Sequence, residues 1–408
     1  MRKSFVRGTN LVCATTKGIV SRGSGPVRDT DYAMLIVDEA SRVTGSEFLI
    51  GAVRARRWVL VGDEYQLPPH VDGDDEHHLH ALTAIHRAER GAAPTLEEAV
   101  SQLAGLWKED EELHEFRNRE VLRLAQQLVD SGDWVDGYRD TFTAAHRHFE
   151  GADADATLLK AMLRHLVHSL FQRTVPKARP ELRQRLTTQR RMVPALARVV
   201  REPIYRGRYL DPEPAELVAR GLHPITTPNF PTPVTFIDTS LYIGAHNERV
   251  GTGFVNALER QAVRWAIQTY DRDLVNRKVG GTVRVSVLSF YKAQAARLDQ
   301  DIRKLKLRVL KPDVIDVIDA IQGQEADIVF LSFTRAVGHR PSQHFGQWLK
   351  DVRRLNVACT RARRALVLVG HSQTLKRLNG VEEANVFYEH LFSLFATDPE
   401  FQIKKRFK

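Results

Sequence analysis

ADIVFLSFTRA (residues 326–336) and RRLNVACTRARRALVLVG (residues 353–370) decide how this chain folds. Each holds an unbroken apolar run, ADIVFLSF in the first and RALVLVG in the second, rich in β-branched and aliphatic residues. A run without polar alternation reads as a strand buried on both faces of a parallel sheet, because a strand with one wet face alternates. RRLNVACTRAR, between them, has no glycine or proline and reads as a helix, so strand and helix alternate. The same texture recurs outward from this region: in VRVSVLSFYKAQ (283–294) and, near the front, in AMLIVDEAS (33–41) and RWVLVGDEYQLPP (57–69). The expectation is an α/β fold in which all of these runs are buried strands.

The chain has 408 residues, of which 43% are hydrophobic and 27% charged, enough for two ordinary cores and too apolar for a disordered protein. No stretch approaches the roughly eighteen uninterrupted apolar residues of a membrane span, and MRKSFVRGTNLVC is too polar for a secretory signal. The reading is a soluble, cytoplasmic protein with no membrane partner. Cys13 and Cys359 stand alone with no CxxC pairing, so the cysteines supply neither a disulfide framework nor a zinc site. A net charge of +10 favours a polyanionic partner such as nucleic acid, although solvated surfaces share that bias.

From about residue 76 to 182 the texture changes to Ala, Leu, Glu, Arg and His with few glycines, which reads as helical. VDGDDE before it marks a domain edge, so residues 72–165 are expected to form a helical insertion. KKRFK at the end reads as a frayed basic tail.

Asp38 and Glu39 directly follow AMLIV, at the carboxyl end of a parallel strand, where α/β sheets place ligand crevices. An aspartate there can hold Mg²⁺ bridging two phosphates, and a neighbouring glutamate can polarise an attacking water. Taken alone, the pair reads equally as acids capping the next helix. The following strand ends in Gly62, Asp63, Gln66, Leu67, Pro68 and Pro69.

DEAS followed by GDEYQLPP resembles superfamily 1 (1B) nucleic-acid helicases of the Senataxin and Upf-like group. Further segments match in the family's order: SLFQR (169–173), TTQRRMVP (187–194), YKAQ (291–294), AIQGQEADIVFLSFTRA (320–336) and RRLNVACTRAR (353–363). The resemblance implies tandem RecA-like P-loop NTPase motor domains using ATP and Mg²⁺ and acting on single-stranded DNA or RNA. It assigns residues 1–71 and 166–205 to a truncated first RecA-like domain, 206–395 to the second, and 396–408 to the basic tail. It gives Gln66 the role of γ-phosphate sensor and Arg191 and Arg361 that of arginine fingers, and groups Asp63 with the nucleotide-binding residues. Gly323 is expected beside a phosphate, Glu325 at the ribose with Gln322 nearby, and Thr15, Thr16, Tyr291 and Lys292 on the nucleic acid. Arg353, Arg354 and Arg364 read as an ordinary basic helix face. Asn256 with Glu259 fits the family's NxxE signature and equally a helix-capping box.

The chain departs from the family pattern at Arg190 and Val193, where the family has Tyr and His, and at Val317, where it has a threonine. It also contains no Gly-Lys pair, and so no GxxxxGK(S/T) loop to cradle the phosphates. The favoured expectation is the C-terminal part of an ATP-dependent helicase, with its Walker A loop on an N-terminal polypeptide. An ATPase-inactive nucleic-acid-binding module and an interaction scaffold stay open as alternatives.

Overall fold

The structure is a computed structural model describing residues 9–20, 30–69, 73–107, 113–149, 151, 153–167, 169–321 and 323–407. It divides into two compact units, Met1–Trp107 with His114–Gln184, and Lys108–Leu113 with Arg185–Lys408.

In the first unit, helix α1 (Thr16–Val20) precedes strand β1 (Leu35–Val37), helix α2 (Gly45–Ala52) and strand β2 (Trp58–Leu60). β1 and β2 pair in parallel, with Leu35 opposite Trp58 and Val37 opposite Leu60. Helix α2 starts on a capping box: Thr44 Oγ1 accepts the Glu47 N–H at 3.2 Å, and the Glu47 carboxylate accepts the Thr44 N–H at 3.0 Å. The expected double-sided burial of this strand pair is not found. Ile36 is 61% and Trp58 56% exposed, because among the described residues no third strand joins the two-stranded sheet. NLVCA (10–14), which the family resemblance makes a strand ending in Thr15 and Thr16, forms no strand, and Thr15 instead caps α1 by accepting the Gly18 N–H at 3.0 Å.

The same unit continues into α3 (Gly73–Glu89), α4 (Leu96–Leu103), α5 (His114–Asp130), α6 (Arg139–His146), α7 (Ala154–Val167) and the short α8 (Leu170–Thr174). Helix α3 packs against α4, α5 and α7 around a core that includes Leu82, Ile85, Val100, Trp134, Phe142 and Leu159.

The second unit is built on a six-stranded, all-parallel sheet in the order β10-β3-β9-β8-β6-β7. Its strands are β3 (Val234–Asp238), β6 (Val283–Ser289), β7 (Leu310–Val317), β8 (Ala326–Ser332), β9 (Ala362–Gly370) and β10 (Phe401–Lys404), with β4 (Glu248–Val250) and β5 (Gly253–Val255) forming a separate hairpin. The principal helices are α9 (Pro194–Arg201), α10 (Pro214–Ala219), α11 (Ala257–Asn276), α12 (Lys292–Ile302), α13 (Val352–Thr360), α14 (Ser372–Leu375) and α15 (Glu382–Thr397). Here the unalternating runs do what unalternating runs require. Phe236, Val287, Ile328, Phe330 and Val367 are all buried, in a RecA-like α/β arrangement.

Two boundaries differ from the sequence-based expectation. Residues 185–205 fall in the second unit, because α9 buries Ala195, Leu196, Val199 and Val200 and packs on α13, α15 and β9. The basic end is not a frayed tail: β10 pairs in parallel with β3, and Phe401 and Phe407 are buried. Apolar side chains spaced among the lysines pin it in place. Among the described residues no helix is long and apolar enough to cross a membrane.

Candidate nucleotide and nucleic-acid sites

In the first unit, the candidate residues leave the C-terminal ends of two adjacent parallel strands. Asp38 follows β1 with its side chain exposed, and Glu39 adopts a left-handed backbone, φ 52°. That conformation is strained for a residue with a Cβ, and the turn is tied by Glu39 N–H donating to Asp38 Oδ1 at 2.9 Å and Ala40 N–H to the Val61 carbonyl at 2.8 Å. Beyond β2, Asp63 works within its own loop. One carboxylate oxygen accepts the Tyr65 N–H at 2.9 Å and the other the Gln66 side-chain amide at 3.0 Å, which fixes the orientation of Gln66. Gly62 is needed here for close approach: a Cβ would lie 3.0 Å from the Ser41 nitrogen and 3.3 Å from the Phe171 ring. SLFQR thus packs on the GDEYQ loop, and its Ser169 caps α8 by accepting the Gln172 N–H at 3.1 Å.

In the second unit, the nucleotide candidates gather at the N-terminal edge of β8 and β9. Arg191 donates through Nε to Glu325 at 2.6 Å, and Arg363 lies 3.7 Å from the other Glu325 oxygen. The loop bearing Arg191 is shaped by Gln189, whose Oε1 accepts the N–H groups of Arg191 at 3.0 Å and Met192 at 3.1 Å. The Gln189 amide donates to the Met192 carbonyl and to Asp211, both at 2.9 Å, and Val193 N–H donates to the Arg363 carbonyl at 2.9 Å. Gly323 has φ 82° with open space where a Cβ would stand, so backbone conformation is what demands glycine there. Gln322 lies outside the described residues. Arg361 ends α13 fully buried, and its carbonyl accepts the Ala326 N–H at 3.0 Å. Arg354 is held by Asp319 at 3.0 Å and Asp351 at 2.6 Å over the Trp348 ring, and Arg364 donates to the His223 carbonyl at 2.9 Å. At the divergent position Arg190, Nε pairs with Glu216 at 2.6 Å.

YKAQ lies at the opposite, C-terminal edge of the same sheet, about 23 Å away along a seven-residue strand. Tyr291, the N-cap of α12, is buried, its ring edge-on to Phe254 at 5.4 Å. Lys292 beside it is exposed. Gln294 is fully buried, accepting the Asn256 N–H at 3.0 Å and donating to the Asn256 carbonyl at 3.2 Å and to Ser332 Oγ at 3.0 Å. Asn256 caps α11 by accepting the Glu259 N–H at 3.0 Å, and its amide reaches the Ala245 and Thr334 carbonyls at 2.9 and 3.1 Å. The capping box is half made, since the Glu259 carboxylate accepts instead from Ser332 Oγ and Thr334 N–H, each at 2.7 Å. Thr334 itself has φ 69°. NxxE, YKAQ and ADIVFLSFTRA hold Asn256, Glu259, Gln294, Ser332 and Thr334, but nothing in those short spacings says that the three segments meet around one buried carboxylate; Ser289, whose hydroxyl lies 3.0 Å from the Thr334 hydroxyl, falls in none of them.

Burial pushes the Glu259 carboxyl up to about 8, against the downward pull of the hydrogen bonds from Ser332 and Thr334. The native state therefore keeps a proton that the unfolded chain releases near the ordinary carboxyl value of 4.5. Stability attributable to this group is full below that value and is lost as pH rises toward about 8. Glu259→Gln is expected to flatten that slope, which denaturant midpoints at about pH 5 and about pH 8 measure. An unchanged slope in the variant would show that Glu259 is ionised throughout.

A family model described as an AAA domain matches residues 166–373, more than half of the chain, and a second AAA-domain model matches residues 1–73. Among curated proteins, Helicase SEN1 of Saccharomyces cerevisiae is 26% identical over 214 residues, covering 51% of this chain and 9% of that protein. ATP-dependent helicase NAM7 of the same organism is 30% identical over 241 residues, covering 56% of this chain and 22% of that protein. The DNA replication ATP-dependent helicase/nuclease DNA2 of Xenopus laevis is 24% identical over 354 residues, covering 86% of this chain and 26% of that protein. The chain thus spans about a quarter or less of the length of these three relatives. With a parallel RecA-like sheet bearing the arginine and glutamate motifs in family order, the chain belongs to the AAA-domain family of superfamily 1 helicases, in the Senataxin and Upf-like group.

Proposed function

We propose that this chain is the part of an ATP-dependent DNA or RNA helicase that supplies the hydrolytic and strand-tracking residues, working with a segment that supplies the Walker A loop. The observation that carries the reading is the departure of Asp38–Glu39 and Asp63–Gln66 from neighbouring strand ends, where α/β sheets bind phosphates. Glu39 orients and deprotonates the attacking water, Gln66 contacts the γ-phosphate, and Arg191 and Arg361 neutralise charge developing on it. Arg361 is buried in this structure, so engagement requires its side chain to emerge.

Asp38 fits a hard divalent cation, being an exposed carboxylate at a strand's carboxyl end, and Mg²⁺ held there would screen the phosphate charge. Asp63 serves indirectly by holding Gln66. Gly323 and Glu325 line the ribose and phosphate side, with Glu325 also anchoring Arg191. A single strand is held through its phosphates by Lys292 and by the hydroxyls of Thr15 and Thr16, which makes binding salt-sensitive. The exposed faces of Ile36, Trp58 and Val59 support a partner segment that completes the first sheet.

The test is strand-stimulated ATP hydrolysis by the chain alone and with a family segment carrying GxxxxGK(S/T). Hydrolysis that appears only with that segment and disappears on Glu39→Gln supports the motor. No hydrolysis in either sample, with salt-sensitive strand binding retained, would make the chain an ATPase-inactive binding module.

A further inference from the structure

The helical bundle of the first unit contains a cluster that the motor function does not use. His86 near the end of α3, His146 at the end of α6 and Asp155 at the start of α7 converge, with one donor atom from each within 4.8 Å of the others. His146 Nε2 lies 3.1 Å and His86 Nδ1 3.5 Å from the same oxygen, Asp155 Oδ1. A tetrahedral centre with bonds of roughly 2.1 Å spaces its donors about 3.4 Å apart, so these separations already fit. His86 and Asp155 are 2% and 5% exposed, yet apart from facing each other and His146 as ion-pair neighbours, His86 Nδ1 and Asp155 Oδ1 make no well-aligned hydrogen bond. Buried polar atoms are rarely left in that condition, and two of them aimed at one point call for a shared ligand.

The surrounding charges describe that ligand. Arg87 donates to Asp155 Oδ2 at 3.2 Å, on the carboxylate oxygen turned away from the histidines, as an outer partner that orients a metal-binding carboxylate would. Arg90 NH1 lies 3.6 Å from Asp155 Oδ1 and contacts both ring nitrogens of His146, Nε2 more closely than Nδ1 at 2.8 Å, so a cationic group already occupies the place between the convergent donors. The Arg90 side chain is 45% exposed and can swing into solvent, leaving its place to an ion.

We propose that His86, His146 and Asp155 bind a divalent metal ion of the zinc class that clasps α3, α6 and α7 and displaces Arg90. Two imidazoles and one carboxylate suit zinc better than magnesium or calcium, which prefer all-oxygen sets. Because three helices contribute, binding stabilises the bundle by mass action.

The experiment titrates the metal-stripped full chain with Zn²⁺ against a chromophoric chelator, with Co²⁺ absorption as a second readout and melting followed in parallel. One Zn²⁺ per chain, a tetrahedral Co²⁺ spectrum and a raised Tm are expected. His86→Gln and His146→Gln should each weaken binding by more than roughly tenfold, the loss that even an outer-shell partner causes. Arg90→Gln keeps every ligand, removes the competing cation, and should tighten binding severalfold. Absence of stoichiometric Zn²⁺ binding, binding as tight as the parent's in either histidine variant, or weaker binding in Arg90→Gln would each overturn the site. None of these readouts depends on ATP hydrolysis.

Discussion

Arg191→Ala, in a motor completed by a Walker A segment, is expected to lower kcat for strand-stimulated ATP hydrolysis by about a thousandfold while leaving KM for ATP within a few-fold. The asymmetry follows from where the charge appears. A guanidinium aimed at the transferring phosphoryl group interacts most strongly with the transition state, so its loss is a loss of kcat. Arg191 is paired with Glu325 at 2.6 Å, and its loop is fixed by Gln189, which accepts from the backbone N–H groups of Arg191 and Met192. Arg191→Lys should not restore the rate, because a point charge does not reproduce the planar fork. A steady-state assay that finds less than about a tenfold loss in kcat for Arg191→Ala would remove this residue from the catalytic set.

Asp271→Ala should destabilise the second unit by on the order of 3 kcal/mol or more. The Asp271 carboxylate lies on α11, buried, and accepts three consecutive backbone N–H groups: Arg308 at 3.0 Å, Val309 at 2.8 Å and Leu310 at 2.8 Å. These groups lead into β7, and the Val309 carbonyl in turn accepts the Val283 N–H at 3.0 Å. An alanine would leave three donors without their acceptor where water has little access, and each such group costs about 1–3 kcal/mol. Asp271→Asn should recover part of the loss, since its carbonyl oxygen still accepts. Denaturant unfolding compares the three proteins, and equal midpoints for the alanine variant and the parent would disprove the anchoring role.

Asp271 also shows what a sequence read alone cannot deliver. In TYDRDLVN it is one acid among several on a helix, with nothing to distinguish it from Asp273, which accepts instead from Asn229. Its importance depends on the chain returning to meet it 37 positions further on, at Arg308. Glu259 is similar: NxxE spacing allowed a capping box or a family motif, and the tertiary structure made it a buried acid shared between Ser332 and Thr334. Tyr291 shows the converse. Its motif could be read, but the packing of its ring against Phe254 depends on a contact from outside the motif.

By itself the sequence determined the α/β class, the β6, β8 and β9 strands, the helical character of the intervening segment and the order of the motor motifs. These are local properties, set by unalternating apolar runs, by propensity, and by residue types at fixed short spacing. Only the tertiary structure decided that β10 closes the sheet beside β3, that α9 belongs to the second unit, and that β1 and β2 keep exposed faces. It alone separated the Arg191–Glu325 pair from YKAQ by the length of the sheet, and brought His86, His146 and Asp155 together from three helices. Such pairings depend on which apolar faces find partners across long stretches of chain, and that is settled when the whole core packs rather than in any one segment.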